Sequence, residues 1–177
     1  MRFIVIGTSG VGKSTFARAL AGMRGCAYVE LDELFWTEGW EPRPQHQFIE
    51  LARLAAQGEQ WVVDGNYSVI REVVWSRGTH IVWLNFSRST VLLQVLRRTV
   101  WRVITRQTLW SGNRETFRKA FFSRQSILLW AATTYDKNKH RYAQLRMDNP
   151  YPNLVWTELR HPSEAAAYLR QHMPVDG

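Results

Sequence analysis

A chain of 177 residues fits one domain with enough length to bury a continuous core. Hydrophobic residues at 45% and charged residues at 21% are ordinary for a globular protein and exclude extensive disorder. The lone Cys26 excludes an internal disulfide and a cysteine-based metal cage, while a net charge of +8 calls for anionic partners.

The first apolar run, Phe3-Ile4-Val5-Ile6, stops at Gly7, too short for the core of a secretory signal, and no later apolar stretch approaches the length of a membrane span. With one cysteine, these features predict a soluble cytoplasmic protein. Directly after that run, residues 7–14 read G-T-S-G-V-G-K-S, a complete G-x-x-x-x-G-K-[ST] pattern, followed by the helical Thr15-Phe16-Ala17-Arg18-Ala19-Leu20. Such a loop binds a nucleoside triphosphate for geometric reasons. Gly7, Gly10 and Gly12 let successive backbone N–H groups, through Val11 and on to Thr15, surround a phosphate chain at the start of a helix. Lys13 then reaches the β- and γ-phosphates and the Ser14 hydroxyl ligates Mg²⁺, so ATP and Mg²⁺ are the expected cofactors.

Short β-rich runs follow over residues 27–31, 61–63, 80–86 and 153–159, separated by helical patterns. With residues 3–6 they predict a three-layer α/β fold around a five-stranded parallel sheet, in a single domain over residues 1–177. The first helix ends near Gly25 and a second spans residues 45–57, with Phe48, Leu51, Ala52 and Ala55 on one face. Ser87 or Ser89 caps a long helix whose inward positions are Leu92, Val95, Leu96, Val100 and Val103, leaving Arg98, Arg102 and Arg106 on another face. A helix over residues 114–142 carries Phe117, Phe121, Leu128, Ala131 and Tyr135, and a last one over residues 163–171 begins with Glu164.

Ligands of open α/β sheets bind beyond the carboxyl ends of the strands, which singles out Asp32 after the second run and Asp64 after the third. Asp64 has the form of a carboxylate that orients Mg²⁺, directly or through water, beside the phosphate loop; an Asx turn helped by Gly65 is its plainer explanation. Asp32 can accept the proton of an attacking hydroxyl or hold the acceptor, or simply cap a helix; Glu33 competes more weakly for that role. Basic residues crowd the region from Arg88 to Arg146, where only Glu115 and Asp136 oppose them, as in a phosphate-clamping lid or a nucleic-acid face.

The stretches Gly7-Thr8-Ser9-Gly10-Val11-Gly12-Lys13-Ser14-Thr15, Leu31-Asp32-Glu33-Leu34-Phe35-Trp36, Val63-Asp64-Gly65-Asn66-Tyr67-Ser68 and Leu96-Arg97-Arg98-Thr99 together resemble the FlaR-related "topology modulation" proteins, within the adenylate-kinase-like P-loop kinases. The resemblance implies a nucleoside-monophosphate-kinase-like fold with strand order 2-3-1-4-5, an acceptor-binding insertion over residues 33–60 and a small lid over residues 106–125. It implies lid-proximal catalytic arginines, Arg98 first and then Arg102, with Arg97 beside them. Arg160 and His161 stand where such kinases hold the adenine, and Phe35, Trp36 and Trp40 are either acceptor contacts or hinge packing. Lys13-Ser14-Thr15 departs from the Gly-Lys-Gly-Thr of adenylate kinases and is closer to shikimate and gluconate kinases, whose aspartate after strand two engages the acceptor hydroxyl.

These features predict an ATP-dependent kinase acting on a small-molecule hydroxyl or phosphate acceptor. An ATP-dependent nucleic-acid-binding protein involved in DNA topology, or a polynucleotide kinase, is the alternative, though no helix-turn-helix or zinc pattern supports nucleic acid. The acceptor and the oligomeric state stay open.

Overall fold

Alternation along each strand builds two separate cores. In β1 (Arg2–Gly7), Phe3 and Val5 face one side and Ile4 and Ile6 the other. Val62 opposes Trp61 and Val63 in β3 (Trp61–Asp64), and Val82 and Leu84 oppose Ile81 and Trp83 in β4 (His80–Leu84). The strands are thus buried on both faces, the condition for a parallel sheet. β2 (Ala27–Glu30) and β5 (Val155–Leu159) complete it in the parallel order β2-β3-β1-β4-β5. The computed structural model describes residues 1–105 and 127–173.

The first face is covered by α1 (Lys13–Arg24), α5 (Arg88–Thr105) and α7 (Pro162–Gln171). The second is covered by α2 (Leu31–Phe35), α3 (Gln45–Ala55), α4 (Arg71–Trp75) and α6 (Ile127–Asp148). Side chains such as Leu20, Phe48, Trp61 and Ile81 are fully buried, each contributing about 1.5–3 kcal/mol of apolar transfer free energy. α6 bridges the two faces across the carboxyl edge. Its Tyr135 belongs to the first core and donates to the Phe86 carbonyl at 2.8 Å, while Tyr142 belongs to the second.

The helix ends follow local chemistry. Gly25 takes φ 59°, and Cys26 N–H closes on the Ala21 carbonyl at 3.1 Å, stopping α1. Ser87 rather than Ser89 caps α5, its Oγ accepting from the Thr90 N–H at 3.3 Å. Pro162 provides the first turn of α7, and Glu164 accepts from the Arg160 N–H at 2.6 Å.

Several boundaries differ from the sequence-based expectation. β2 ends at Glu30, not Leu31: the Leu31 side chain turns inward against Gly65, where an added Cβ would sit 2.8 Å from it. Asp32 accordingly occupies the first turn of a short helix. A 3₁₀ turn at Ser68–Ile70 and the helix α4, both unanticipated, return the chain to β4. The inward stripe of α5 is Val91, Val95 and Thr99, each buried, whereas Leu96 and Val100 are exposed. Val95 is inward as expected and Leu92 packs against the same core, so the misreading lies further along the helix, at Leu96 and Val100. α6 runs beyond Tyr142 to Asp148 and ends where Asn149 adopts φ 43°. The expected lid at residues 106–125 lies outside the described residues, together with Arg106, Phe117 and Phe121, as do the side chains of Arg102, Val103, Leu128 and Ala131.

Candidate functional site

Strand register brings the candidate groups to one edge. Val5 pairs with Asp64, Glu30 also pairs with Asp64, and Gly7 pairs with Leu84, so the phosphate loop leaves the sheet beside both acidic strand ends. The loop glycines are required by their surroundings. Gly10 has φ 83°, and a Cβ there would meet Val95 Cγ2 at 1.9 Å, because α5 rests directly on the loop. Gly12 has φ 95° and hands the chain to α1, whose first N–H groups surround the expected phosphate position.

Lys13 folds back over the loop. Its ammonium donates to the Gly7 and Thr8 carbonyls at 3.2 Å each. Burial lowers its pKa, the Asp32 carboxylate and then Asp64 pull it back up, and Arg98 pushes it down. Asp32, Asp64, Arg98 and Lys13 therefore share one electrostatic site. Arg98 is half-buried on α5, while Arg97 is exposed and Arg102 lies in the same helix.

Asp64 is 3% exposed. Burial raises its pKa to about 6, with the Ser14 hydrogen bond and Lys13 pulling the other way. The Tyr28 hydroxyl donates to Asp64 Oδ2 at 3.4 Å, and Ser14 acts on both groups. A hydroxyl and a carboxylate side by side are hard oxygen donors, the chemistry that suits Mg²⁺. Among the described residues no group of three His, Cys, Asp or Glu side chains could hold a metal, so the ion's remaining ligands would be phosphate oxygens and water.

Asp32 is fixed by Tyr67, whose hydroxyl donates to Oδ1 at 2.5 Å. Glu33 is exposed. Asn66 clamps the loop from the β3 side, its Nδ2 donating to the Gly7 carbonyl at 2.5 Å and its Oδ1 accepting from the Gly7 N–H at 3.4 Å. From the opposite side, α6 reaches the loop through Asn138 Nδ2, 3.5 Å from Thr8 Oγ1. Neither Tyr67, Asn66, Tyr28 nor Asn138 stood out in the sequence as a site residue. The Asp-Gly-Asn-Tyr run behind β3 was the available signal for two of them.

The aromatic candidates pack together. The Phe35 ring centroid lies 4.6 Å from Tyr67, 5.2 Å from Phe48 and 4.8 Å from Trp36, which in turn lies 5.8 Å from Trp40. Phe35 thus braces the residue that holds Asp32. Arg160 is exposed and engages Glu158 through Nε at 3.1 Å, beside a groove of about 500 Å³ that also touches Trp83, Asn85, Lys139 and Arg146. His161 is the exposed N-cap position of α7.

The sheet order, the two covering layers and the loop between β1 and α1 define a P-loop kinase fold. Among solved structures, the chain is similar to a gluconokinase from Sinorhizobium meliloti 1021, with 21% identity and a TM-score of 0.54 over 96% of this chain and 91% of that one. No protein-family model matches the sequence, and no curated protein matches it. Among the described residues no helix is long and apolar enough to cross a membrane.

Proposed function

We propose that the chain is an ATP-dependent phosphotransferase acting on a small molecule with a hydroxyl or phosphate acceptor group. The observation that carries this reading is the placing of two acids beside the phosphate loop: Asp64 ends β3 in register with Val5 of the strand that leads into the loop, and Asp32 follows the neighbouring β2, held by Tyr67. A triphosphate site for hydrolysis alone needs the metal-side acid; a second acid held from the other side by Tyr67 suits an attacking hydroxyl.

In this reading the loop residues Gly7, Gly10, Val11, Gly12, Lys13, Ser14 and Thr15 hold the triphosphate, and Arg160 contributes to the nucleotide end. Ser14 and Asp64 would hold Mg²⁺, which supplies charge neutralisation between the phosphates. Asp32 takes the proton from the acceptor oxygen as that oxygen bonds to the γ-phosphorus. The bond to the β–γ bridging oxygen breaks, and ADP leaves with that electron pair. Arg98 and Arg102 stabilise the charge spread over the transferring group. Residues 33–60 cover the acceptor and residues 106–125 act as the lid. A cytoplasmic setting suits the lone Cys26.

A gluconokinase among the similar structures supports a small-molecule kinase. The narrower likeness to FlaR-related "topology modulation" proteins, and with it any DNA-directed role, rests on the sequence motifs. The test is ADP release in a panel of sugar acids, nucleosides, nucleoside monophosphates and oligonucleotide 5′ ends, with Lys13→Ala as control. Stimulation by a small molecule that vanishes in Lys13→Ala is expected. Stimulation by oligonucleotides alone favours the polynucleotide kinase, and no stimulation by any compound overturns phosphotransfer.

A further inference from the structure

Asn66 stands where β3 has ended and β1 has not. The Gly65 N–H still donates to the Val5 carbonyl at 3.3 Å, but β1 runs on to Gly7 before the phosphate loop begins. There the Asn66 side chain takes over from the backbone. Its Nδ2 donates to the Gly7 carbonyl at 2.5 Å, and its Oδ1 accepts from the Gly7 N–H at 3.4 Å. A carboxamide offers a donor and an acceptor side by side, as a peptide group does, so it fills the place of a further strand residue. Gly65, at φ 138°, makes the turn that brings it there.

The Gly7 carbonyl has a second donor, the Lys13 ammonium at 3.2 Å, which reaches the Thr8 carbonyl at the same distance. To serve the β- and γ-phosphates, Lys13 must give up these carbonyls. A buried carbonyl left without a donor is costly, and that cost would hold the ammonium back. Both carbonyls keep a donor when it leaves: Thr8 has the Val11 N–H at 3.3 Å, and Gly7 has Asn66. The first donor is built into the main chain of the loop, whereas the second depends on one side chain.

We propose that Asn66 is a positioning residue of the phosphate site, acting through Lys13. It holds the Gly7 carbonyl as the ammonium leaves, so that releasing Lys13 to the phosphates bares no acceptor in the loop. This rests on triphosphate binding at the loop, one part of the function proposed above, and not on the identity of the acceptor. The next residue, Tyr67, holds Asp32, so consecutive side chains behind β3 support the donor loop and the proposed acceptor acid.

Two measurements test it. The first is calorimetric titration with Mg²⁺ and the non-hydrolysable imido analogue of ATP. Asn66→Ala should bind about tenfold more weakly than the wild type, because Lys13 must then abandon the carbonyl's remaining donor. Asn66→Asp keeps the size of the side chain and the acceptor for the Gly7 N–H but loses the donor, and should bind at least as weakly. The second is denaturant unfolding, without nucleotide, of the wild type, Asn66→Ala, Lys13→Met and the double variant. Lys13→Met should be tolerated beside Asn66 and should lower the midpoint clearly in Asn66→Ala, where the Gly7 carbonyl has neither donor. A residue that only braced the loop would show the same cost with or without the lysine. Additive midpoints, or both Asn66 variants binding the nucleotide as tightly as the wild type, overturn the role of Asn66 and leave the triphosphate site standing. A wild type that binds no nucleotide overturns the triphosphate site, and this inference with it.

Discussion

The hydroxyl of Tyr67 donates to Asp32 Oδ1 at 2.5 Å, joining the chain behind β3 to the chain behind β2. Asp32 is also the carboxylate that acts most strongly on the Lys13 ammonium. Tyr67 itself is held at the phenol end by this bond and along its ring by Phe35 and Phe48. The acid proposed to take the acceptor proton is thus positioned by an aromatic cluster and needs no neighbouring base.

Tyr67→Phe should retain the ring packing and lose only the donated bond. A hydrogen bond to a charged group is worth about 1.5–3 kcal/mol, so transfer should fall roughly tenfold or more while ATP binding is unchanged. The double variant with Asp32→Asn should be no slower than Asp32→Asn alone. Additive losses in that cycle would show that Tyr67 acts independently of Asp32.

Lys13→Met tests a cation that is costly to fold. Burial lowers its pKa, so removing it relieves desolvation, and thermal stability should hold or rise while triphosphate affinity and turnover collapse. A variant that melts well below the wild type would mean that the bonds to the Gly7 and Thr8 carbonyls hold the loop together without nucleotide.

How much of this site could be read from the sequence depends on the distance each contact spans. The phosphate loop is local chemistry: eight consecutive residues with their glycines and lysine announce it, and the β1 and α1 patterns frame it. The five strands were legible because each is apolar and β-rich. Asp32 and Asp64 could be singled out as strand-end acids, but the partners Tyr67 and Tyr28 come from distant segments, brought close only by the β2–β3 pairing. The face of α5 was misread because Leu96 and Val100 are apolar yet exposed, while the buried stripe includes the polar Thr99.

Gly10→Ala places a methyl group 1.9 Å from Val95 Cγ2 at a backbone φ of 83°. Both effects oppose the native loop, and overpacking alone costs about 1–3 kcal/mol. Denaturant unfolding should show a loss of that size, with triphosphate affinity reduced. Adding Val95→Ala should recover the steric part and leave the φ strain, so the double variant should be less destabilised than the sum of the two. Simple additivity would mean that α5 does not press on the loop.

The pH dependence of stability should carry the mark of Asp64. Its folded pKa is raised to about 6 from an ordinary 3.8, so between those values the folded state holds a proton that the unfolded chain has released. The group therefore favours folding most below pH 3.8, and that contribution is lost as pH rises through about 6. The tighter hold on that proton in the folded state is worth about 3 kcal/mol. Other carboxylates titrate in the same range, so the diagnostic quantity is a difference: the stability of the nucleotide-free wild type minus that of Asp64→Asn. This difference should fall by about that amount between pH 4 and pH 7. A flat difference across the range would place Asp64 in a wetter setting, with an ordinary carboxylate pKa.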